Sequence, residues 1–256
     1  MLQCNACSVV ITPPSDRATA TSDYYEEQYS LTHTVLANTE MHRYFRYPEY
    51  ARLIGEALEY TQAPGSWLDV GCDHGFFLDD VRRYGFSAVG VEPSQGARTY
   101  ARQIGLEVHE SLDQVADSFS AASMWHVLEH IEDPLHMLTQ IHERLLAGGL
   151  LMIRVPNAGG FWSRILRDRW IWFQPHHHVV HYTAGTLQAV VERAGYSVLT
   201  VREQRPNSWF TRRAYRLSAA VFTNTLQRAR PSVRDRLARA YQDITGQELL
   251  LIAKRP

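Results

Sequence analysis

The chain has 256 residues, a formal net charge of −1, 45% hydrophobic and 21% charged residues. This is the profile of a soluble protein with a full core, and it leaves room for one large domain or one domain with an appendage. Near-neutral charge gives no global reason to expect nucleic acid or an anionic membrane as partner. No apolar run reaches the roughly 18 residues a spanning helix needs, so no membrane span is expected.

Residues 1–22 are polar, with Pro13 and Pro14, and read as a loosely held arm. The start, MLQCNACSVVITPPSD, lacks the basic and continuous apolar regions of a signal peptide, and three cysteines (Cys4, Cys7, Cys72) make no disulfide framework. A cytoplasmic location is therefore expected. From Asp23 to about Tyr60 the composition turns helical, with aromatics at Tyr24, Tyr25, Tyr29, Tyr44, Phe45, Tyr47 and Tyr50. APGS at 63–66 breaks that pattern, and the strand-like SWLDV leads into the turn GCDHG. FFLDDVRRYG has helical spacing and stops at Gly85, a helix-ending glycine.

The next strand, SAVGV, ends in Glu92-Pro93, and is followed by a helix at about 94–104, the strand LEVHE and the apolar run FSAASMW. A helix from Pro134 to Leu146 then passes through a turn at AGG into the strand LLMIRV, ended by Pro156-Asn157. Later, YSVLTVREQ and ELLLIAK read as strands separated by an insert, 206–245, expected to form two or more helices. Residues 201–245 carry ten arginines and three acids, so this stretch is locally basic. Strands alternating with helices predict right-handed βαβ units, hence an α/β fold with a doubly wound, mostly parallel sheet covered on both faces. The expected organisation is an arm (1–22), a helical segment (23–60) and a main domain (61–256) with its helical insert.

A tight turn from a strand's carboxyl end into a helix needs glycine for unusual φ and for close backbone approach to a ligand. Gly71 and Gly75 fit, and ligands of doubly wound sheets bind at that edge. Glu92 ends the next strand 23 residues after Asp69, near the offset at which an acid accepts from ribose hydroxyls. A nucleoside ligand is expected. A dinucleotide is not, because GxGxxG is absent and an aspartate in the turn would repel pyrophosphate.

LDVGCDHG resembles the first motif of class I S-adenosylmethionine-dependent methyltransferases, an acid followed by GxGxG. VGVEPS, MWHVLEHIEDP, LLAGGLLMIRVPN and HHHVVHYTAGTL follow in the family's order. The last of these and VLEH…DP are similar to the subgroup of ubiquinone-type O-methyltransferases and bacterial sugar and natural-product methyltransferases. The resemblance covers about residues 60–200 and 246–255. It implies a Rossmann-like, seven-stranded sheet with the last strand antiparallel, S-adenosylmethionine as cofactor (S-adenosylhomocysteine as product) and the stretch 23–50 as a lid. It also implies a cofactor site of Asp69, Gly71, Cys72, Asp73, Gly75, Phe76, Glu92, Pro93, Ser111, Leu112, Trp125 and His126, with Tyr29 as a further contact. Asp73 stands where the family usually has glycine. Its carboxylate either faces the cofactor's α-amino group or points to solvent and caps the following helix, while its backbone keeps the turn because aspartate enters left-handed conformations readily.

Methyl transfer from a sulfonium is an in-line displacement, so the protein positions the acceptor and, for a hydroxyl, takes its proton. Histidine suits that task near neutral pH. Glu129 and His130 flank the acceptor by resemblance, and among His176, His177, His178 and His181 the family pattern selects His178 as base or positioning group. Three consecutive histidines cannot aim all their rings at one ion, so no metal site is expected there. Cys4 and Cys7 resemble half of a zinc ribbon, read as a relic.

The expected function is methylation of a small molecule, foremost a hydroxyl of a sugar, lipid precursor or secondary metabolite, with nitrogen or carbon acceptors as alternatives. The arginines of the insert suit a phosphate-bearing acceptor or form a solvated helical face, and a homodimer is compatible with the sequence. A nucleic-acid methyltransferase would carry an Asn- or Asp-Pro-Pro-aromatic motif where Trp125-His126-Val127-Leu128 stands. A noncatalytic scaffold that keeps the fold is the remaining alternative.

Overall fold

The structure, a computed structural model, describes residues 1–4, 8–16, 39–170, 172–204 and 248–256, with the backbone alone for 39–46. Tyr29, Cys7 and the insert 206–245 lie outside the described residues. A short hairpin, β1 (Leu2–Gln3) and β2 (Val10–Ile11), comes first. Then come α1 (Thr39–Ala57), β3 (Ser66–Val70), α2 (Phe76–Arg83), β4 (Ser87–Val91), α3 (Gln95–Gln103), β5 (Glu107–His109) and β6 (Phe119–Trp125). The chain continues through α4 (Pro134–Arg144), β7 (Leu145–Pro156), α5 (Phe161–Leu166), β8 (Val180–His181), α6 (Ala184–Arg193), β9 (Ser197–Gln204) and β10 (Glu248–Lys254).

Seven strands form one sheet in the order β5-β4-β3-β6-β7-β10-β9, and β10 runs antiparallel to both of its neighbours. Alternate residues of each central strand feed two cores. Leu68, Val70, Met124, Ile153 and Leu251 face one side, where α4 and α6 cover them with Leu138, Ile141, Leu187 and Val191. Trp67, Ala121, Met152, Leu250 and Ile252 face the other, under Leu53 and Ile54 of α1 and Phe77, Leu78 and Val81 of α2. Burial on both faces is what made these strands continuous apolar runs.

Helix starts follow their capping residues. Ser94 accepts from the Ala97 amide at the head of α3, Asp133 from that of His136 before α4, and Thr183 and Thr186 form a reciprocal capping box on α6. Chain order reverses between β3 and β6, so the loops after β3, β4 and β6 open a crevice at their carboxyl ends. No helix among the described residues is long and apolar enough to cross a membrane.

Three details differ from the sequence reading. The helix expected to reach Leu146 ends at Arg144, because Leu145 already pairs with Phe119, and AGG is an irregularity inside β7. His181 lies in the two-residue strand β8, an element absent from that reading. Nor are the described residues of the arm loosely held: β2 pairs with β8, Val10 opposite His181 and Ile11 opposite Val180, and Thr12 is fully buried.

Candidate functional site

The turn after β3 has Gly71 at φ 75°, Asp73 at φ 51° and Gly75 at φ 76°. Asp73 keeps the left-handed backbone as expected, since aspartate tolerates it better than most residues. Both glycines are also required by packing: a Cβ on Gly71 would lie 2.3 Å from Val127 Cγ2, and one on Gly75 2.3 Å from Leu106 Cδ1. Closeness to protein neighbours is thus a reason for glycine that the sequence reading assigned to a ligand. Cys72 turns its side chain into the core against Gly90 and Leu78, leaving its backbone at the turn.

Glu92 ties the turn to the next loop. Its Oε2 accepts from the Asp73 amide at 3.0 Å and its Oε1 from the Ser94 amide at 2.8 Å. Burial, with the nearby Asp73 charge, pushes its carboxyl up to about 7 although both amides oppose the shift. Asp69 is buried behind the turn. Trp67 Nε1 donates to Ser123 Oγ at 2.9 Å, which donates to Asp69 Oδ1 at 2.5 Å, and burial pushes Asp69 up to about 8. Asp73 bonds His74 Nδ1 at 2.5 Å through its own carboxylate and does not cap α2, whose N-cap position is held by Gly75 with no side-chain cap bond. His74 is itself packed against Phe76 and Tyr100.

Pro93 is exposed at the rim, and Ser111 and Leu112 follow β5 along the same edge, Leu112 buried in the core. Arg98 spends its guanidinium on the Glu92 and Pro93 carbonyls and on Glu110. Asp73 and Glu92 therefore lie at this edge with Asp69 buried behind them, and the neighbouring cation is turned away. That donor set fits a nucleoside bearing positive charge and a sugar diol, and it does not fit pyrophosphate.

Next to it, the 3-10 turn Leu128–His130 follows β6 and forms a second cluster. His130 Nδ1 donates to the His177 carbonyl and His178 Nδ1 to the Trp172 carbonyl, both at 2.9 Å. These bonds leave each Nε2 as an acceptor. The two rings stand edge to face, 4.8 Å apart. Glu129 is buried and neither carboxylate oxygen accepts a hydrogen bond among the described residues. Burial alone would raise it, but the charged His126 beside it holds it ionised below its ordinary value. Ligand atoms of Glu129, His130 and His178 lie within 4.8 Å of one another, so these three groups could hold a cation. The run 176–178 contributes only His178 to that set.

His126 occupies a left-handed backbone, φ 58°, with its ring stacked on Trp172 at 5.0 Å. Its Nε2 lies 3.1 Å from Glu248 and its Nδ1 3.4 Å from Glu129. Burial would lower it, but Glu248 and Glu129 outweigh that and raise it to about 9, so it carries a proton at neutral pH. Arg154 continues the chain, pairing with Glu248 at 3.5 Å and with Glu49 of α1, its guanidinium 5.6 Å from the Trp125 ring. Trp125 packs edge to face on Phe77.

The sequence reading placed Trp125 and His126 on the cofactor. The structure brings His126 against Glu129 and Trp172, beside His130 and His178. Glu248, Arg154, Glu49, Trp172 and Ser123 were missed, because strand pairing and loop return bring them in from remote parts of the chain. Only the charged residues among them gave a local signal: an acid at the start of β10 and an arginine inside an apolar run.

The strand order, the glycine turn with its buried acid and the carboxylate ending β4 define a class I S-adenosylmethionine-dependent methyltransferase. More particularly, the chain belongs to the methyltransferase-domain family, whose family model matches residues 41–201. It is 29% identical over 144 residues to a ubiquinone biosynthesis O-methyltransferase of Ruegeria sp. (strain TM1040), covering 50% of this chain and 58% of that protein. It is 34% identical over 100 residues to the enzyme of the same name from Ruegeria pomeroyi, covering 35% and 40%. The chain thus spans about half the length of these curated relatives. Among solved structures, the cyclase SpnF superposes with a TM-score of 0.53 at 22% identity, covering 80% of each chain. That likeness concerns the fold alone.

Proposed function

We propose that the protein transfers a methyl group from S-adenosylmethionine to a hydroxyl of a small molecule, a sugar, lipid precursor or secondary metabolite, with His178 as the base. The bound cofactor supplies the sulfonium methyl as electrophile. Glu92 holds the ribose diol with the lone pairs its two amide bonds leave, and Gly71, Asp73 and Gly75 shape the turn beneath. Tyr29 of the lid is a further contact. The observation that carries the reading is the fixed tautomer of His178: Nδ1–H is held by the Trp172 carbonyl, and ligand atoms of His178, His130 and Glu129 lie within 4.8 Å of one another. Burial holds His178 down at about 4, so it is neutral and able to accept a proton at neutral pH. Glu129 then stabilises the charge that forms on the ring. The match to O-methyltransferases supports oxygen as the acceptor atom. The arginines of 201–245 support an acceptor that carries phosphate.

His178→Ala should cut turnover about 100-fold or more while leaving S-adenosylhomocysteine binding by calorimetry unchanged. Near-normal turnover with intact binding would remove the base. A second reading has Glu129, His130 and His178 hold a divalent cation that would polarise the acceptor hydroxyl, favoured by their convergence. Stoichiometric metal in the purified protein, lost in Glu129→Gln, would select it over the metal-free base.

A further inference from the structure

We propose that Thr12 is a positioning residue for the acceptor side of the site, reaching His178 and His181 from the N-terminal strand pair. The proposal rests on the reading of that side as the place of proton transfer. Thr12 is 166 residues from His178 in sequence, yet its Oγ1 donates to the His178 carbonyl at 2.8 Å and its amide donates to the Val179 carbonyl at 2.9 Å. From the opposite direction, the Val179 amide donates to the Glu129 carbonyl at 2.8 Å. Segment 178–181 is therefore clamped between β2 and the turn that carries Glu129 and His130.

Thr12 Oγ1 also lies 3.1 Å from His181 Nε2 and 3.7 Å from Met1 Sδ. A hydroxyl has one proton. With that proton given to the His178 carbonyl, the short contact to His181 requires His181 to donate its Nε2–H. Thr12 and His181 are both buried, so the opposite tautomer would set two lone pairs face to face with no water between them. Phe173 lies against the His181 ring at 5.4 Å, and His178 is 6.3 Å away. The same hydroxyl thus fixes the tautomer of His181 and the backbone of His178, whose ring geometry follows from where that backbone sits. The arm is part of the framework of the site.

The full chain, labelled with ¹⁵N-histidine, allows a direct test at neutral pH. Long-range proton–nitrogen correlation distinguishes Nε2–H from Nδ1–H rings without any acceptor, and His178→Asn and His181→Asn assign the two signals. The parent should show His181 wholly as Nε2–H and His178 as Nδ1–H. Thr12→Val, which keeps the shape and removes the hydroxyl, should lose the single-form pattern of His181, and Thr12→Ser should restore it. Titration with S-adenosylhomocysteine should give the parent's affinity in both variants. A parent-like pattern in Thr12→Val overturns the proposal, and so does loss of the pattern in Thr12→Ser. His181 found as Nδ1–H in the parent overturns it without any variant, should Thr12→Val fail to fold. The base itself is tested by turnover of His178→Ala, so either idea can fail while the other stands.

Discussion

Both oxygens of Glu92 are engaged by backbone amides, one from the turn after β3 and one from the loop that starts α3. This residue therefore has two tasks, holding the turn in shape and offering its remaining lone pairs to a diol. Glu92→Ala leaves the Asp73 and Ser94 amides without their acceptor. It should destabilise the fold by about 2–4 kcal/mol, read by urea denaturation, and weaken S-adenosylhomocysteine about 10- to 150-fold, read by calorimetry. Parent-like affinity would remove Glu92 from the ligand. At this scale the turn and Glu92 were legible because each is local, an acid or glycine at a fixed offset from a strand end. Glu129 and His130 were legible by resemblance. The partners of His126 were not: Glu248 reaches it from β10, more than a hundred residues on, and Trp172 comes from a loop with no periodicity to predict its path.

Elements followed the apolar pattern wherever burial and hydrogen bonding agreed. The run Leu150–Ile153 is fully buried on both faces, with β6 on one side and β10 on the other, and such a strand announces itself in sequence. Leu151→Ala should cost about 2–5 kcal/mol, the usual range for a large-to-small change in a packed core, and lower the melting temperature. A loss under about 1 kcal/mol would place Leu151 outside the tightly packed core. Short elements escaped notice. β2 and β8 have two residues each and pair across 170 positions of sequence, so neither strand length nor alternation marked them. Their pairing is what ties a polar, proline-bearing arm to the segment that carries His178 and His181.

Taken whole, the molecule carries two sets of buried titratable groups whose effects on stability oppose one another below neutrality. His178 and His181 are both held down at about 4 by burial, from an ordinary 6.5. The unfolded chain binds protons there first, so their contribution is complete above 6.5 and is lost as pH falls toward 4. Asp69 and Glu92 are raised to about 8 and about 7 by burial. Their contribution is complete below ordinary carboxylate values and is lost as pH rises through 7 and 8. His126, raised to about 9, adds stability that is lost as pH rises through 9. The two sets oppose one another between about 4 and 6.5, so urea midpoints should change little there and then fall from 6.5 to 9, and Asp69→Asn should flatten that fall. A midpoint that climbs steadily above pH 8 would contradict the assigned directions.

The α/β architecture was legible throughout the matched region, since alternation of strand and helix is written into burial. The identity of the acceptor was not, and the cluster of Glu129, His130 and His178 comes together by long-range convergence of side chains. The most direct test of the whole account is transfer of a labelled methyl group from S-adenosylmethionine by the full chain into a fractionated cell extract. The account predicts label in an oxygen-linked methyl of the small-molecule fraction. Label found only in nucleic acid or protein, or none in any fraction while the donor demonstrably binds, would contradict it.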